Sequence, residues 1–319
     1  MRKVSIKNTD LMVSQICYGA AFCDLSMQAE YEECLDYFCE SGGNFLDSAN
    51  IYGKWLDHGK NSHEMMIGKW LKKKGNRNSM VIASKAAHPH LATMEVHRMS
   101  HREITADLDE SLSALQTDYV DILYLHRDAE SVPVGEIVDI LLRIQETGKI
   151  RHFACSNWKP ERIEEALSYS AGKKAAGFVI NQLRWSLAVP NALDGDDKTC
   201  VGMDGSGMDL HRRTGLAAAA YNSQASGFFT KYDNGEVSEG LGRRFINETN
   251  KAIYANMKRL SEKTGHNCTA ISLAYLMSQG ITAIPVIASR TMGQLSDSLA
   301  AANVRLGPEE AAALTEAGG

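Results

Sequence analysis

Eight short apolar runs, each followed by a polar turn and then by a stretch of helical period, constrain this chain more than any other feature. The runs are QICYG (15–19), NFLD (44–47), MVIAS (80–84), VDILYLH (120–126), RHFACS (151–156), GFVINQ (177–182), LAAAAY (216–221) and TAIPVIA (282–288). Cores such as ILYL and FVI are apolar at consecutive positions, so both faces are covered, as in a parallel sheet. The helical stretches include MQAEYEECLDYFCES, SHEMMIGKWLKK, REITADLDESLSAL, GEIVDILLRIQETGK and KPERIEEALSYS. Ser62 and either Ser100 or Thr105 suit N-caps, and Gly42, Gly148 and Gly265 suit C-terminal ends. Before the first run, VSIK, a turn at Asn8-Thr9-Asp10 and LMVSQ form a hairpin pattern. Eight strands alternating with helices, with no linker between composition blocks, predict a (β/α)8 TIM barrel as a single domain over 1–319, an N-terminal β-hairpin capping its bottom. An open doubly wound sheet is the competitor, but no G-x-G-x-x-G follows the first strand. Two segments, 187–214 and 227–245, are Gly- and Asp-rich and read as long loops of the kind that carry function in a compact domain.

Composition narrows the function. The net charge is −5, from 34 basic and 39 acidic residues, so no overall positive field attracts a nucleic acid. No run of about 18 apolar residues suggests a membrane partner, and MRKVSIKNTDLMVSQ has no apolar core of signal-peptide length. The expectation is a cytoplasmic protein. Its seven cysteines include no C-x-x-C pair and read as reduced thiols.

In such a barrel the chemistry sits where the strands end. The runs end in Asp47, with Tyr52 five residues on, in Lys85, His126, Ser156 with Asn157, Gln182 and Tyr221. Each has an ordinary explanation: an Asp after a strand caps or turns, a Lys is solvated, a Tyr or His packs. Co-location of four such residues on adjacent strand ends favours one site. Together Asp47, Tyr52, Lys85 and His126 form a proton-donating constellation. The ammonium of Lys85 is expected to lower the tyrosine pKa, ordinarily about 10, by about 1 to 3 units. Asp47 holds that lysine, and His126, neutral or charged, donates to an oxygen that gains charge. No side chain supplies hydride, so a nicotinamide cofactor is implied.

These segments resemble the aldo-keto reductase superfamily. The likeness is carried by D-S-A-N-I-Y-G (47–53), S-x-E-x-x-I-G-K-W-L (62–71), A-S-K (83–85), D-Y-V-D-I-L-Y-L-H (118–126), G-K-I-R-H-F-A-C-S-N-W (148–158) and N-Q-L-R-W-S (181–186), and runs from residue 3 to about 306. It implies carbonyl reduction with NAD(P)H: Tyr52 as general acid, Lys85 and Asp47 tuning it, His126 orienting the carbonyl. By the same resemblance Ser156, Asn157 and Gln182 hold the nicotinamide carboxamide and Tyr221 stacks on its ring. Two exits depart from the pattern. Tyr221-Asn222-Ser223-Gln224-Ala225-Ser226-Gly227 stands where many relatives carry Tyr-Ser-Pro-Leu-Gly, with Asn222, Gln224 and Ser226 left to meet a pyrophosphate. Along 288–298, Ser289, Arg290 and Gln294 line the cofactor, and Asp297 and Ser298 replace the Glu-Asn pair that contacts adenine. Arg290, at the start of a helix, is the partner expected for a 2′-phosphate, which favours NADP(H) over NAD(H).

The substrate is a small carbonyl or alcohol such as an aldehyde, ketone or sugar, with Trp55 and Trp158 as pocket walls. Arg127 and Asp128 suit a hydroxyl-rich molecule or pair on the surface. Two other readings stand beside this one: a cofactor-binding regulatory subunit with little turnover, and a metal-dependent barrel enzyme using His88, His90, His97 and His101.

Overall fold

A computed structural model of the chain describes residues 1–316. Its strands are the hairpin pair β1 (Lys3–Ser5) and β2 (Met12–Ser14), followed by β3 (Cys17–Tyr18), β4 (Phe45–Asp47), β5 (Val81–Ala86), β6 (Val120–Leu125), β7 (Ile150–Ser156), β8 (Phe178–Arg184), β9 (Ala217–Tyr221) and β10 (Ala283–Ile287). From β3 to β10 each strand pairs in parallel with the next, and β10 pairs with β3, closing a barrel of eight. Around it lie α1 (Gln28–Glu40), α2 (Ser62–Lys74), α3 (His101–Leu115), α4 (Val134–Glu146), α5 (Pro160–Gly172), α6 (Gly205–Thr214), α7 (Phe228–Asp233), α8 (Glu239–Phe245), α9 (Glu248–Thr264), α10 (Cys268–Met277), α11 (Met292–Leu299) and α12 (Pro308–Thr315). No described helix is long and apolar enough to cross a membrane.

Side chains alternate faces along a strand, and that period of two sorts the core. Phe45, Ala83, Ile122, Tyr124, Ala154, Ile180, Ala217 and Ala219 fill the barrel interior. Their neighbours of opposite parity, Leu46, Ile82, Leu123, Leu125, Phe153 and Cys155, pack outward under the helices. The hairpin contributes Ile6, Leu11 and Val13 to the interior cluster, so it plugs one end of the cylinder.

Both segments expected as loops contain helices. In 187–214, α6 forms from Gly205, where the Asp204 carboxylate caps the Gly207 N–H at 2.8 Å and Leu210 and His211 are buried. Two glycines in its first turn mask the helical period. In 227–245, α7 and α8 span only 6 and 7 residues, too short for a periodic pattern to stand out. They persist because Phe228, Phe229 and Phe245 pack with Ile253 and Met257 of α9. Of these two segments, only the 187–204 part is irregular at length. The N-cap of α2 is Asn61 rather than Ser62, whose hydroxyl instead donates to the Cys23 carbonyl. Ser100 caps α3, with Glu103 completing a capping box. The C-terminal helical pattern ends at Thr315, and residues 317–319 lie outside the described chain.

Glu64 on α2 is buried, where its carboxylate accepts from Ser84 and, at 2.8 Å, from Asn61 Nδ2. Burial outweighs those hydrogen bonds and pushes its pKa up to about 7. A carboxyl that binds its proton more tightly when folded favours folding most below its unfolded pKa, and loses that contribution as pH rises through about 7. Glu64→Gln is therefore expected to raise unfolding free energy by up to about 3 kcal/mol at alkaline pH and by little near pH ~4. Urea titrations of both proteins at the two pH values check it.

Candidate active site

The inward parity of the strands, continued by two residues, generates the site. Asp47 follows Phe45, Lys85 follows Ala83, His126 follows Tyr124, Ser156 follows Ala154, Gln182 follows Ile180 and Tyr221 follows Ala219. All six therefore emerge at the mouth opposite the hairpin. Tyr52 arrives from the loop after β4, and the glycine behind it is required. Gly53 has φ +100°, and a Cβ there would run into the Ser62 hydroxyl and come 2.9 Å from the Lys60 carbonyl.

Lys85 organises the tetrad. Its ammonium, without exposed surface, donates to Asp47 Oδ2 at 2.6 Å, to the Ser48 carbonyl at 2.8 Å and to Tyr52 Oη at 3.2 Å. An ammonium has three hydrogens, and these three acceptors use them. The lysine lies 4.7 Å from the centre of the tyrosine ring. Burial lowers its pKa, but the negative charge of Asp47 and the Tyr52 contact more than reverse that, leaving it above the usual lysine value and charged. Gln182 Nε2 donates to the other oxygen of Asp47 at 2.8 Å.

The expected lowering of the Tyr52 pKa does not occur. Desolvation of the buried phenol outweighs the Lys85 charge and raises it above the ordinary tyrosine value. Tyr52 is thus a neutral phenol whose oxygen accepts from lysine while its own proton is left for the mouth. His126 stands edge-on to it, ring centres 5.8 Å apart. Burial, with the charges of Lys85 and Arg127, holds the imidazole well below its usual pKa, so it is neutral. Its Nδ1 is buried without a partner, and Nε2 occupies the open edge.

Beside the tetrad, Asn157 adopts a left-handed φ of 60°. Its Oδ1 accepts from Tyr221 Oη at 2.8 Å and from the Val201 N–H at 3.1 Å, and its Nδ2 donates to Ser156 Oγ at 3.0 Å. One residue past Tyr221 a groove of about 680 Å³ begins, lined by Asn222, Gln224, Ser226, Ser289, Arg290, Gln294 and Asp297. It adjoins the tetrad without including it. Asn222, Ala225 and Ser226 take left-handed φ of 53°, 47° and 57°, and the Ala225 and Gly227 N–H groups close tight turns on the Asn222 and Gln224 carbonyls, so the backbone coils sharply at the groove's edge. Arg290 is fixed at the edge, its Nε donating to the Ala21 carbonyl at 3.1 Å. Lys231, within the segment read as a loop, also lines the groove and places a second cation there. Ser298 is fully buried beneath the floor, accepting from Gln224 Nε2 at 2.9 Å, and it supports the groove rather than lining it.

The residues expected beside the substrate are placed differently from one another. Trp55 is 53% exposed, at the edge of Tyr52, but Trp158 has no exposed surface and packs between Phe178 and Arg162. It is part of the barrel wall, not of the pocket. Arg127 and Asp128 do not pair with each other. Asp128 takes two bonds of 2.8 Å from Arg162, whereas Arg127 holds Asp197 at 3.2 Å and Thr199 at 2.9 Å. Those contacts, with the Arg244–Asp196 pair, fasten segment 187–204 beside the mouth. The histidines 88, 90, 97 and 101 do not converge. His88 packs 4.7 Å from His126 while the other three are exposed, and among the described residues no three His, Cys, Asp or Glu side chains meet as metal ligands.

A sequence profile of the Aldo/keto reductase family matches residues 15–318. The chain belongs to that family. This reductase is thus an oxidoreductase that interconverts a carbonyl and an alcohol. It is similar to the aldo-keto reductase ausK of Emericella nidulans, 28% identical over 293 residues covering 87% of this chain and 69% of the relative. The norsolorinic acid reductase stcV of the same organism is 26% identical, covering 94% and 77%. The aryl-alcohol dehydrogenase (NADP(+)) of Phanerodontia chrysosporium is 25% identical, covering 86% and 72%.

Removing the lysine exposes what the tetrad costs. Lys85→Met should destabilise the fold by about 3–5 kcal/mol because Asp47 is left charged and buried, and the double change with Asp47→Leu should recover most of it. Denaturant unfolding of the three proteins measures this, and additive losses would remove the pairing argument.

Proposed function

We propose that this reductase protonates a carbonyl oxygen from the Tyr52 hydroxyl while His126 Nε2 donates a second hydrogen bond to the same oxygen. The observation that carries this is the saturated Lys85 ammonium, which spends one of its three hydrogens on Tyr52 Oη. That bond fixes the phenol's accepting lone pair and leaves its own hydrogen for the substrate. A reduced nicotinamide, when bound, supplies the hydride. Tyr221, Asn157, Ser156 and Gln182 are the residues to hold its ring and carboxamide. As negative charge grows on the oxygen, two donors and a nearby ammonium stabilise it without rearranging, a contribution of about 3–4 kcal/mol per donor in comparable sites. Burial keeps Tyr52 protonated until the oxygen becomes basic enough to take the proton.

NADP(H) is the cofactor this groove suits best. Lys231 and the left-handed 222–227 turn face a pyrophosphate, and Arg290 presents a guanidinium able to grip a 2′-phosphate with two bonds. The similarity to an NADP(+) aryl-alcohol dehydrogenase supports the same choice. The assembled tetrad speaks against a subunit that holds cofactor without turnover.

Tyr52→Phe is expected to lower kcat by about 10²–10⁴-fold while leaving cofactor affinity near the wild-type value, since only the reacting oxygen meets the hydroxyl. Steady-state reduction of a panel of aldehydes, with cofactor binding followed by fluorescence, tests both parts, and a variant with wild-type rates would refute the assignment. Arg290→Ala should weaken NADPH at least about tenfold more than NADH. Equal losses for both would mean that the 2′-phosphate is read elsewhere.

A further inference from the structure

His88 belongs to neither the tetrad nor the groove, yet the chain is bent to bring it to the mouth. Two residues past Lys85, Ala87 takes a left-handed φ of 63°, which an L-residue adopts only under constraint. The turn sets the His88 ring 4.7 Å from that of His126, with an interplanar angle of 67°. His88 Nδ1 lies 2.7 Å from the Pro89 carbonyl oxygen. A carbonyl only accepts, so Nδ1 carries the hydrogen, and in the neutral ring Nε2 is a bare lone pair. Partial burial keeps the ring neutral by lowering its pKa. Among the described residues Nε2 has no partner and is not sealed from solvent.

His126 holds the opposite tautomer. His126 Nδ1 is buried with nothing to donate to, and an orphaned lone pair is cheaper than an orphaned N–H. Its hydrogen therefore sits on Nε2, at the open edge. The mouth thus presents two donors, Tyr52 and His126, and, one ring away, an acceptor. The donors meet the carbonyl oxygen. An acceptor on the ring packed against His126 has no function toward a plain aldehyde, but a hydroxyl on the adjoining carbon supplies the hydrogen it lacks.

Building on the carbonyl-reduction reading, we propose that His88 is a specificity residue whose Nε2 accepts a hydrogen bond from a hydroxyl next to the reacting carbonyl, so that 2-hydroxy aldehydes and ketones are the preferred substrate class. Arg127 does not redirect this preference toward acids. Its guanidinium is engaged by the His126 carbonyl at 2.9 Å, Thr199 Oγ1 at 2.9 Å, Asp197 Oδ2 at 3.2 Å and Cys200 Sγ at 3.7 Å, so it offers no free fork to a carboxylate. Trp55, exposed beside Tyr52, supplies an apolar wall for the carbon skeleton.

The test is steady-state kinetics with NADPH on 2-hydroxypropanal and propanal, which differ by the one hydroxyl. Wild type should show the higher kcat/KM for 2-hydroxypropanal, and His88→Leu should cut that preference about tenfold, chiefly through KM, with His88→Gln restoring part of it by keeping an acceptor. Should the variants not fold, wild type alone decides: 2-methoxypropanal, which has no hydrogen to give, should lose the advantage. A preference unchanged in His88→Leu, or shared by the methoxy compound, overturns the assignment. Tyr52→Phe separates the two levels. If it reduces propanal like wild type, the proton-donor reading fails; if it is inactive while wild type treats the first two aldehydes alike, only the role of His88 fails.

Discussion

A charged lysine with no exposed surface is the interaction on which the site depends. Lys85 has to remain an ammonium inside the protein, and a lone buried cation is too costly to persist. Asp47 at 2.6 Å makes it tolerable, and the Ser48 carbonyl and Tyr52 hydroxyl take the hydrogens that remain. The pair is thus a geometric device as much as an electrostatic one. It locks three elements of the mouth to one point, and Gln182 from the far side of the barrel ties in through the second oxygen of Asp47. A phenol placed there has no freedom to turn its proton toward the lysine.

Around that point the protein separates two tasks. Residues on the inward parity of the strands are held by the barrel's own hydrogen bonding, and Tyr52, in the loop after β4, is pinned to them through Lys85. The groove beyond Tyr221 is made of turns and helix ends, with the cations Lys231 and Arg290 on its lining. Segment 187–204 is fastened by Arg127 to one side and by Arg244 to the other. The groove and the tetrad are therefore neighbours with no residue in common.

Much of this was legible beforehand because it follows from short-range rules. Apolar runs with the right turn residues marked the strands to within a residue or two, and polar residues at their ends marked the mouth. The misses came where short-range rules compete with packing. Short helices α7 and α8 were hidden because three buried phenylalanines, not periodicity, stabilise them. Trp158 looked like a pocket wall because its place after a strand end is the same whether it faces in or out. Lys231 carries no signal inside a segment that reads as a loop, and His88 shares only its neighbourhood in sequence with the exposed His90, His97 and His101.

The sequence by itself determined the closed parallel barrel, the face of each strand that enters it, and which four polar residues meet at its mouth, because strand parity and hydrophobic pattern are local properties. Only the tertiary structure decided their ionisation and direction. Whether a neighbouring ammonium or the loss of water governs Tyr52 is a balance of Coulomb attraction against desolvation. Which nitrogen of His88 or His126 carries the hydrogen turns on the atom opposite it. Both depend on distances of a few ångströms between residues far apart in the chain, and no pattern along the chain encodes them.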